Sequence, residues 1–146
     1  MGTGQPPERW AMLMAELMVD DVPRSLAFWT GPLGFRVAYE RPAQRFAFLE
    51  RPEGAQMMVY QRDGDWETGP MEPPFGRGMV IQVYVEDVRA VHAAVLSAGL
   101  TPYVDLREKW RDWGDREGGQ REFLVQDPDG YLVMVAQRLG ERPLPA

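Results

Sequence analysis

The chain carries few residues able to do covalent or metal chemistry. It has one histidine, His92, and no cysteine among 146 residues. Without cysteine there is no thiol nucleophile, no thiolate metal site and no disulfide framework. A Ser/His/Asp set would have to be built on His92, which falls in a helical stretch where a surface or helix–sheet contact is its expected role. No glycine loop ends in the lysine that cradles phosphates, and no spacing suits zinc. Asp20-Asp21 is placed to cap a helix and Glu50 to Glu53 to form a turn. Two features remain pointed. Glu16 lies in an apolar strand, where a carboxylate is costly unless a cation or donors meet it. It can partner a cationic ligand group or act as a general base; equally, it can reach solvent at a strand end or pair with Arg45. Trp110 and Trp113 lie in a polar, glycine-containing stretch, where a large indole must pack on something: a planar ligand, the protein's own sheet or a second subunit.

Hydrophobic residues make up 45% of the chain and charged residues 26%, as in ordinary soluble domains. The length suits one domain, or two small halves tightly fused. There is no apolar run of spanning length and no basic-then-apolar leader, so a soluble, cytoplasmic protein with no membrane partner is expected. The formal charge of −6 argues against nucleic acid, whose phosphates need a basic footprint. It favours a cationic small ligand, unless it serves solubility alone.

The elements that would position these residues are written twice. Val19-Asp20-Asp21-Val22, an amphipathic stretch ending at Leu33-Gly34, and Pro52-Glu53-Gly54 before an apolar strand form the first copy. Val85-Glu86-Asp87-Val88, a stretch ending at Ala98-Gly99, and Pro128-Asp129-Gly130 before an apolar strand form the second. Alternation and turn residues predict strands over 10–19, 35–39, 46–49 and 56–61, then over 79–85, 101–106, 122–125 and 131–136. Residues 107–119 read as a long loop. The ends, 1–9 and the tail with Pro143 and Pro145, read as loose. Each half is β-α-β-β-β, with modules at 10–62 and 78–138 and a Pro/Gly-rich linker at 63–77. The expected class is α+β: two tandem βαβββ modules forming a pseudo-twofold cleft.

This arrangement resembles the vicinal oxygen chelate superfamily of glyoxalases, extradiol dioxygenases and bleomycin-resistance proteins. The strings that carry the resemblance run from Val19 through Thr30 with Leu33-Gly34-Phe35, and from Arg121-Glu122-Phe123 to Asp127-Pro128-Asp129-Gly130-Tyr131. Phe28-Trp29-Thr30 and Arg121-Glu122-Phe123 look most like the bleomycin-resistance branch. Where those proteins carry a tryptophan just before the arginine-glutamate-phenylalanine string, this chain has Gly119, with Trp113 upstream. Metal-dependent members of the superfamily hold their ion with two residues from each half. The resemblance carries those positions onto Met14 and Met58 of the first half and Val80 and Met134 of the second. The internal repeat pairs the same residues, Met14 with Val80 and Met58 with Met134. Zinc, nickel and manganese need imidazole or carboxylate, so no metal and no cofactor are expected.

Residues two apart on a strand share a face. Met14 therefore brings Glu16, Val80 brings Gln82 and Tyr84, and Met58 brings Gln56 and Tyr60. The expected trough is mainly apolar, with Glu16, Gln82, Gln56 and Tyr60 as polar handles. Tyr39, Phe46, Phe48, Tyr103, Trp110 and Trp113 stand as aromatics at its rim. The expected function is metal-free binding of a small organic molecule, cationic or aromatic. The resemblance suggests sequestration of an antibiotic-like compound; the alternative is a lyase, isomerase or dioxygenase with a displaced site. The resemblance also implies a homodimer.

Overall fold

In the computed structural model, which describes residues 2–146, the duplicated strings become two copies of one unit. The first contains β1 (Thr3–Gly4), β2 (Ala15–Val19), α1 (Val22–Thr30), β3 (Arg36–Arg41), a 3-10 turn (Pro42–Gln44), β4 (Phe46–Glu50) and β5 (Gln56–Gln61). The second contains β6 (Val80–Tyr84), α2 (Val88–Ser97), β7 (Val104–Asp112), β8 (Arg116–Gln126) and β9 (Leu132–Pro143). The sheets run β1-β3-β4-β5-β2 and β6-β9-β8-β7. In each, the strand just before the helix pairs in parallel with the last strand, β2 with β5 and β6 with β9, and the other neighbours are antiparallel. The fold is thus α+β with two repeated βαβββ modules. No helix among the described residues is long and apolar enough to cross a membrane.

The repeat is exact where each helix begins. Asp21 Oδ1 accepts from the Arg24 N–H at 3.2 Å, and Asp87 Oδ1 from the Ala90 N–H at 3.1 Å. Each satisfies a donor that the first helical turn leaves open. A glutamine from the last strand satisfies another: Gln61 accepts from the Val22 N–H and Gln137 from the Val88 N–H. The turns then cross between modules. Asp129 Oδ1, in the second module, accepts from the Asp20 N–H at 3.1 Å, just before α1. Glu53 Oε2, in the first, accepts from the Glu86 N–H at 3.0 Å, just before α2. These reciprocal bonds fix the pseudo-twofold relation.

Strand alternation sends one set of side chains toward the helices. Leu17, Val19, Ala47, Leu49, Met57 and Val59 bury against Val22, Phe28 and Trp29, while Val83, Phe123, Val125, Val133 and Val135 bury against Val88, Val91 and Val95. Each fully buried aliphatic or aromatic side chain contributes about 1.5–3 kcal/mol. Both sets belong to one cluster, joined by Phe75 from the linker and by Tyr131. The Phe75 N–H donates to the Asp129 carbonyl at 2.9 Å, and the Tyr131 hydroxyl donates to the Met18 carbonyl at 2.8 Å. Gly130, at φ 97°, lets the linker close over the turn: a Cβ there would stand 2.6 Å from Pro74 Cα.

Three expectations about the elements are corrected. The strand expected over 10–19 forms only at Ala15–Val19, because the preceding residues leave the sheet as an arm. The arm is not loose, since Thr3 and Gly4 pair with Glu40 and Tyr39 of β3; Met1 lies outside the described residues. The expected loop at 107–119 is instead the outer part of a three-stranded ribbon, with β8 paired to β7 through Asp112 and to β9 through Pro143. β9 itself runs past residue 138 to Pro143, so the start of the tail is paired rather than loose.

Candidate functional site

The faces turned away from the helices carry what the core does not use. On the first sheet that face is closed. Phe46, Phe48 and Ala38 are buried there, with Met14, Tyr39, Met58 and Tyr60 packed against them. Tyr39 stacks on Phe48 at 5.3 Å, and Trp10 from the arm meets Phe48 edge-on at 4.9 Å. Gln56 clamps the arm in place, accepting from the Ala11 N–H and donating to the Arg9 carbonyl. The Tyr60 hydroxyl is taken up by Asp63 at 2.7 Å. Five of the residues expected to line a ligand trough (Tyr39, Phe46, Phe48, Met58 and Tyr60) therefore pack into one cluster, with Trp10 set against its Phe48.

The corresponding face of the second sheet is open. A cavity of about 720 Å³ lies on it, lined by Gln82, Tyr84, Arg111, Trp113, Gly118, Gly119, Gln120 and Arg138. The two glycines make room for the tryptophans. A Cβ on Gly118 would overlap the Trp113 indole, and one on Gly119 would stand within 2.7 Å of the Trp110 ring. The Trp113 N–H is pinned at the hairpin turn by the Arg116 carbonyl at 2.8 Å. Trp113 thus presents its ring to the cavity. Trp110 does not line it and stacks instead under the Arg142 guanidinium, 3.9 Å from the ring centre.

Charge at this site is organised around Glu122, which has no solvent-exposed surface. Its carboxylate accepts from Arg107 at 3.1 and 3.2 Å, from Arg111 at 3.1 Å and from the Gln120 amide. Burial alone pushes its pKa up; the bonds from Arg111, Gln120 and Arg107 outweigh that and hold it below the ordinary glutamate range. One carboxylate faces two guanidiniums, so a positive charge is left over. Arg138 adds another, since it has no carboxylate within ion-pair distance among the described residues. The Tyr84 hydroxyl donates to Gln120 Oε1 at 3.2 Å, which orients both side chains at the cavity floor.

A second cavity of about 450 Å³ runs beside the first between β6 and the first module. Leu13, Met14, Met57, Met79, Val80 and Ile81 give it an apolar wall, and Gln82 lines both cavities. Met14 and Val80 are thus brought together here. Met58 stays in the aromatic cluster, and Met134 lies under Gln120, whose amide approaches its sulfur at 3.6 Å. The four positions implied as metal corners do not share one cavity, and their thioethers and alkyl group do not suit a divalent metal. Among the described residues no group of three or more His, Cys, Asp or Glu is placed to hold one.

The remaining candidates scatter. Glu16 is exposed, forms no ion pair with Arg45 and lies outside both cavities. Tyr103 is exposed, away from both. His92 bonds Asp105 of β7 at 2.7 Å and packs edge-on to Phe123, a contact between helix and sheet. Residue types alone did not point to Arg111, Gln120 and Arg138. Arg138 follows Met134 and Ala136 on one face of β9, so one further step of the same alternation reaches it.

The sequence profile of one family, described as the Glyoxalase/Bleomycin resistance protein/Dioxygenase superfamily, matches residues 11–135. No curated protein matches the chain. Among solved structures, TioX from Micromonospora sp. ML1 is 25% identical, with 87% of this chain and 95% of that chain covered and a TM-score of 0.64. Virulence protein STM3117 from Salmonella typhimurium is 19% identical, covering 91% and 98%, with a TM-score of 0.63. A superfamily member from Vibrio splendidus 12B01 is 32% identical, covering 85% and 95%, with a TM-score of 0.41. With the family profile spanning both βαβββ modules, this chain belongs to the glyoxalase/bleomycin resistance/dioxygenase superfamily.

Proposed function

We propose that the chain is a binding protein for a planar organic anion, held on the open face of the second sheet. One observation carries this reading: the Arg138 guanidinium, without a carboxylate partner among the described residues, lines the same cavity as Arg111 and the Trp113 ring. A guanidinium offers a carboxylate or sulfonate paired, charge-assisted hydrogen bonds, and an indole offers a flat ring a stacking surface. The net charge of −6 suggested a cationic ligand, but a ligand meets local charge, and the cavity wall is cationic. Gln82 and Gln120 suit orientation of a bound molecule. The cavity's one side-chain hydroxyl, that of Tyr84, is taken up by Gln120, which favours sequestration over turnover.

Calorimetric titration with 2-naphthoate tests the proposal, with a naphthyl quaternary ammonium as the opposite charge. The anion is expected to bind and to quench tryptophan fluorescence. Arg138→Gln is expected to remove one charged hydrogen bond of about 1.5–3 kcal/mol and weaken binding roughly 10- to 100-fold. Tighter binding of the cation, or indifference of the anion to both Arg138→Gln and Trp113→Ala, would sink the proposal.

A further inference from the structure

We infer that the ligand has two parts: a planar anionic head in the arginine–tryptophan cavity and an apolar tail that crosses Gln82 into the groove between β6 and the first module. The inference rests on the anion-binding reading and extends it to the class of molecule. The two cavities adjoin at Gln82, which lines both. Val80, Gln82 and Tyr84 stand on one face of β6, so the strand is a track from apolar to polar. No charged side chain lines the groove, and its one other polar side chain, Gln56, is occupied by the arm. The Gln82 amide has no hydrogen-bond partner among the described residues, so it is free to meet an ether, ester or amide joining head to tail.

The groove also displays apolar surface that the core leaves uncovered. Leu13 is 91% exposed, Met79 46% and Val80 44%, although all three line one wall system. An alkyl or acyl chain laid along them removes that surface from water at the same time as it shields its own. An amphipathic organic acid is the chemistry that satisfies both ends. A short polar anion would leave the groove bare, and a simple hydrocarbon would leave Arg138 unused.

A homologous series of 4-alkoxybenzoates, kept below their micelle-forming concentrations, reads the two parts separately. Affinity is expected to rise about three- to fourfold for each added methylene until the groove is full. In Leu13→Arg this gain should vanish while 4-methoxybenzoate binds as before; Met79→Glu is the second variant should the first fold poorly. If 4-methoxybenzoate binds and depends on Arg138, but affinity is flat along the series or its rise is untouched in both variants, the tail is overturned and the anion site stands. A flat series together with a dimer in sedimentation that Leu13→Arg separates overturns it in favour of a second copy covering the groove. Failure of both 2-naphthoate and 4-methoxybenzoate to bind removes the anion site and the tail together.

Discussion

Replacing Glu122 by glutamine should lower stability and raise anion affinity in the same variant. The carboxylate is wholly buried, and its donors are Arg107, Arg111 and Gln120. Glutamine keeps one acceptor oxygen but turns an amide NH2 toward guanidinium and amide donors. Removing one partner of a buried ion pair typically costs about 3–5 kcal/mol, because the charge left behind is uncompensated. Here the arginine side chains are 40% and 45% exposed and can rehydrate, which reduces the expected loss to about 2–3 kcal/mol. For a chain of this length that is a fall in Tm of about 5–10 °C. The pH dependence gives the sign independently. Glu122 titrates below its ordinary value of 4.5, so its contribution is present above that pH and fades as pH falls through its lower folded-state value. The variant should lack this acid-side loss. At the cavity, removing the negative charge beneath Arg111 should strengthen an anion by about 1 kcal/mol, roughly fivefold. Urea unfolding at pH 7.5 and across pH 3–6, paired with titration of 2-naphthoate, measures all three. A variant as stable as the parent, or one that binds the anion more weakly, would refute the reasoning.

Asp127 should behave in the opposite sense. Its carboxyl is pushed up to about 6 by burial, so its folded-state advantage is full below about pH 4 and disappears as pH rises through 6. Asp127→Asn keeps an acceptor for the Asp129 and Tyr131 N–H groups, and should gain stability over the parent between pH 4 and 8, by up to about 3 kcal/mol in urea unfolding. Tyr131→Phe removes the buried bond to the Met18 carbonyl and should cost about 1–3 kcal/mol of unfolding free energy. Gly118→Ala places a methyl where the Trp113 indole lies; it should shift the tryptophan emission and weaken 2-naphthoate about three- to tenfold, the worth of a stacking contact. Unchanged emission and affinity would show that Trp113 is not held there.

Much of the fold was legible because the same signals occur twice. Asp21 read as a helix cap and Gly99 as a helix stop, and the alternation at 56–61 and 131–136 separated the side chains that face the helices from those on the far face. The ribbon at 107–119 was not legible. Its residues are polar on both faces, so no hydrophobic period marks it, and Gly118 and Gly119 lower local strand propensity. What makes it a strand is pairing on two sides, with β7 and β9, plus indoles lying over the bare glycines. The difference between the two far faces was hidden for a related reason. Reading each half alone makes both faces look available, whereas Trp10, which leaves the expected strand to lie in the arm between β1 and β2, packs on Phe48 of one of them. The cationic character of the other face emerges only when β7, β8 and β9 lie side by side and bring Arg111 and Arg138 to one cavity.

The inequality of the two faces follows from a few exchanges at matching places in the sheets. In the first module Phe46 lies opposite Tyr60 and Phe48 opposite Met58; in the second, Glu122 lies opposite Ala136 and Leu124 opposite Met134. The pair Phe46–Tyr60 packs beside Phe48, on which Trp10 rests, whereas Glu122, opposite the small Ala136, recruits arginines. Arg62 and Arg138 occupy corresponding positions just past Tyr60-Gln61 and Ala136-Gln137. Arg62 is held by Asp20 and Glu67, and its pKa is raised by them; Arg138 has no such partner among the described residues. The duplicated backbone needs both helix caps and both crossing turns, so those devices stay paired across the repeat. Neither far face is needed to hold the modules together, because the cluster joining them lies on the helix side. One face is therefore free to take its own arm and the other to remain open, so the proposed anion site occurs once in each chain rather than twice.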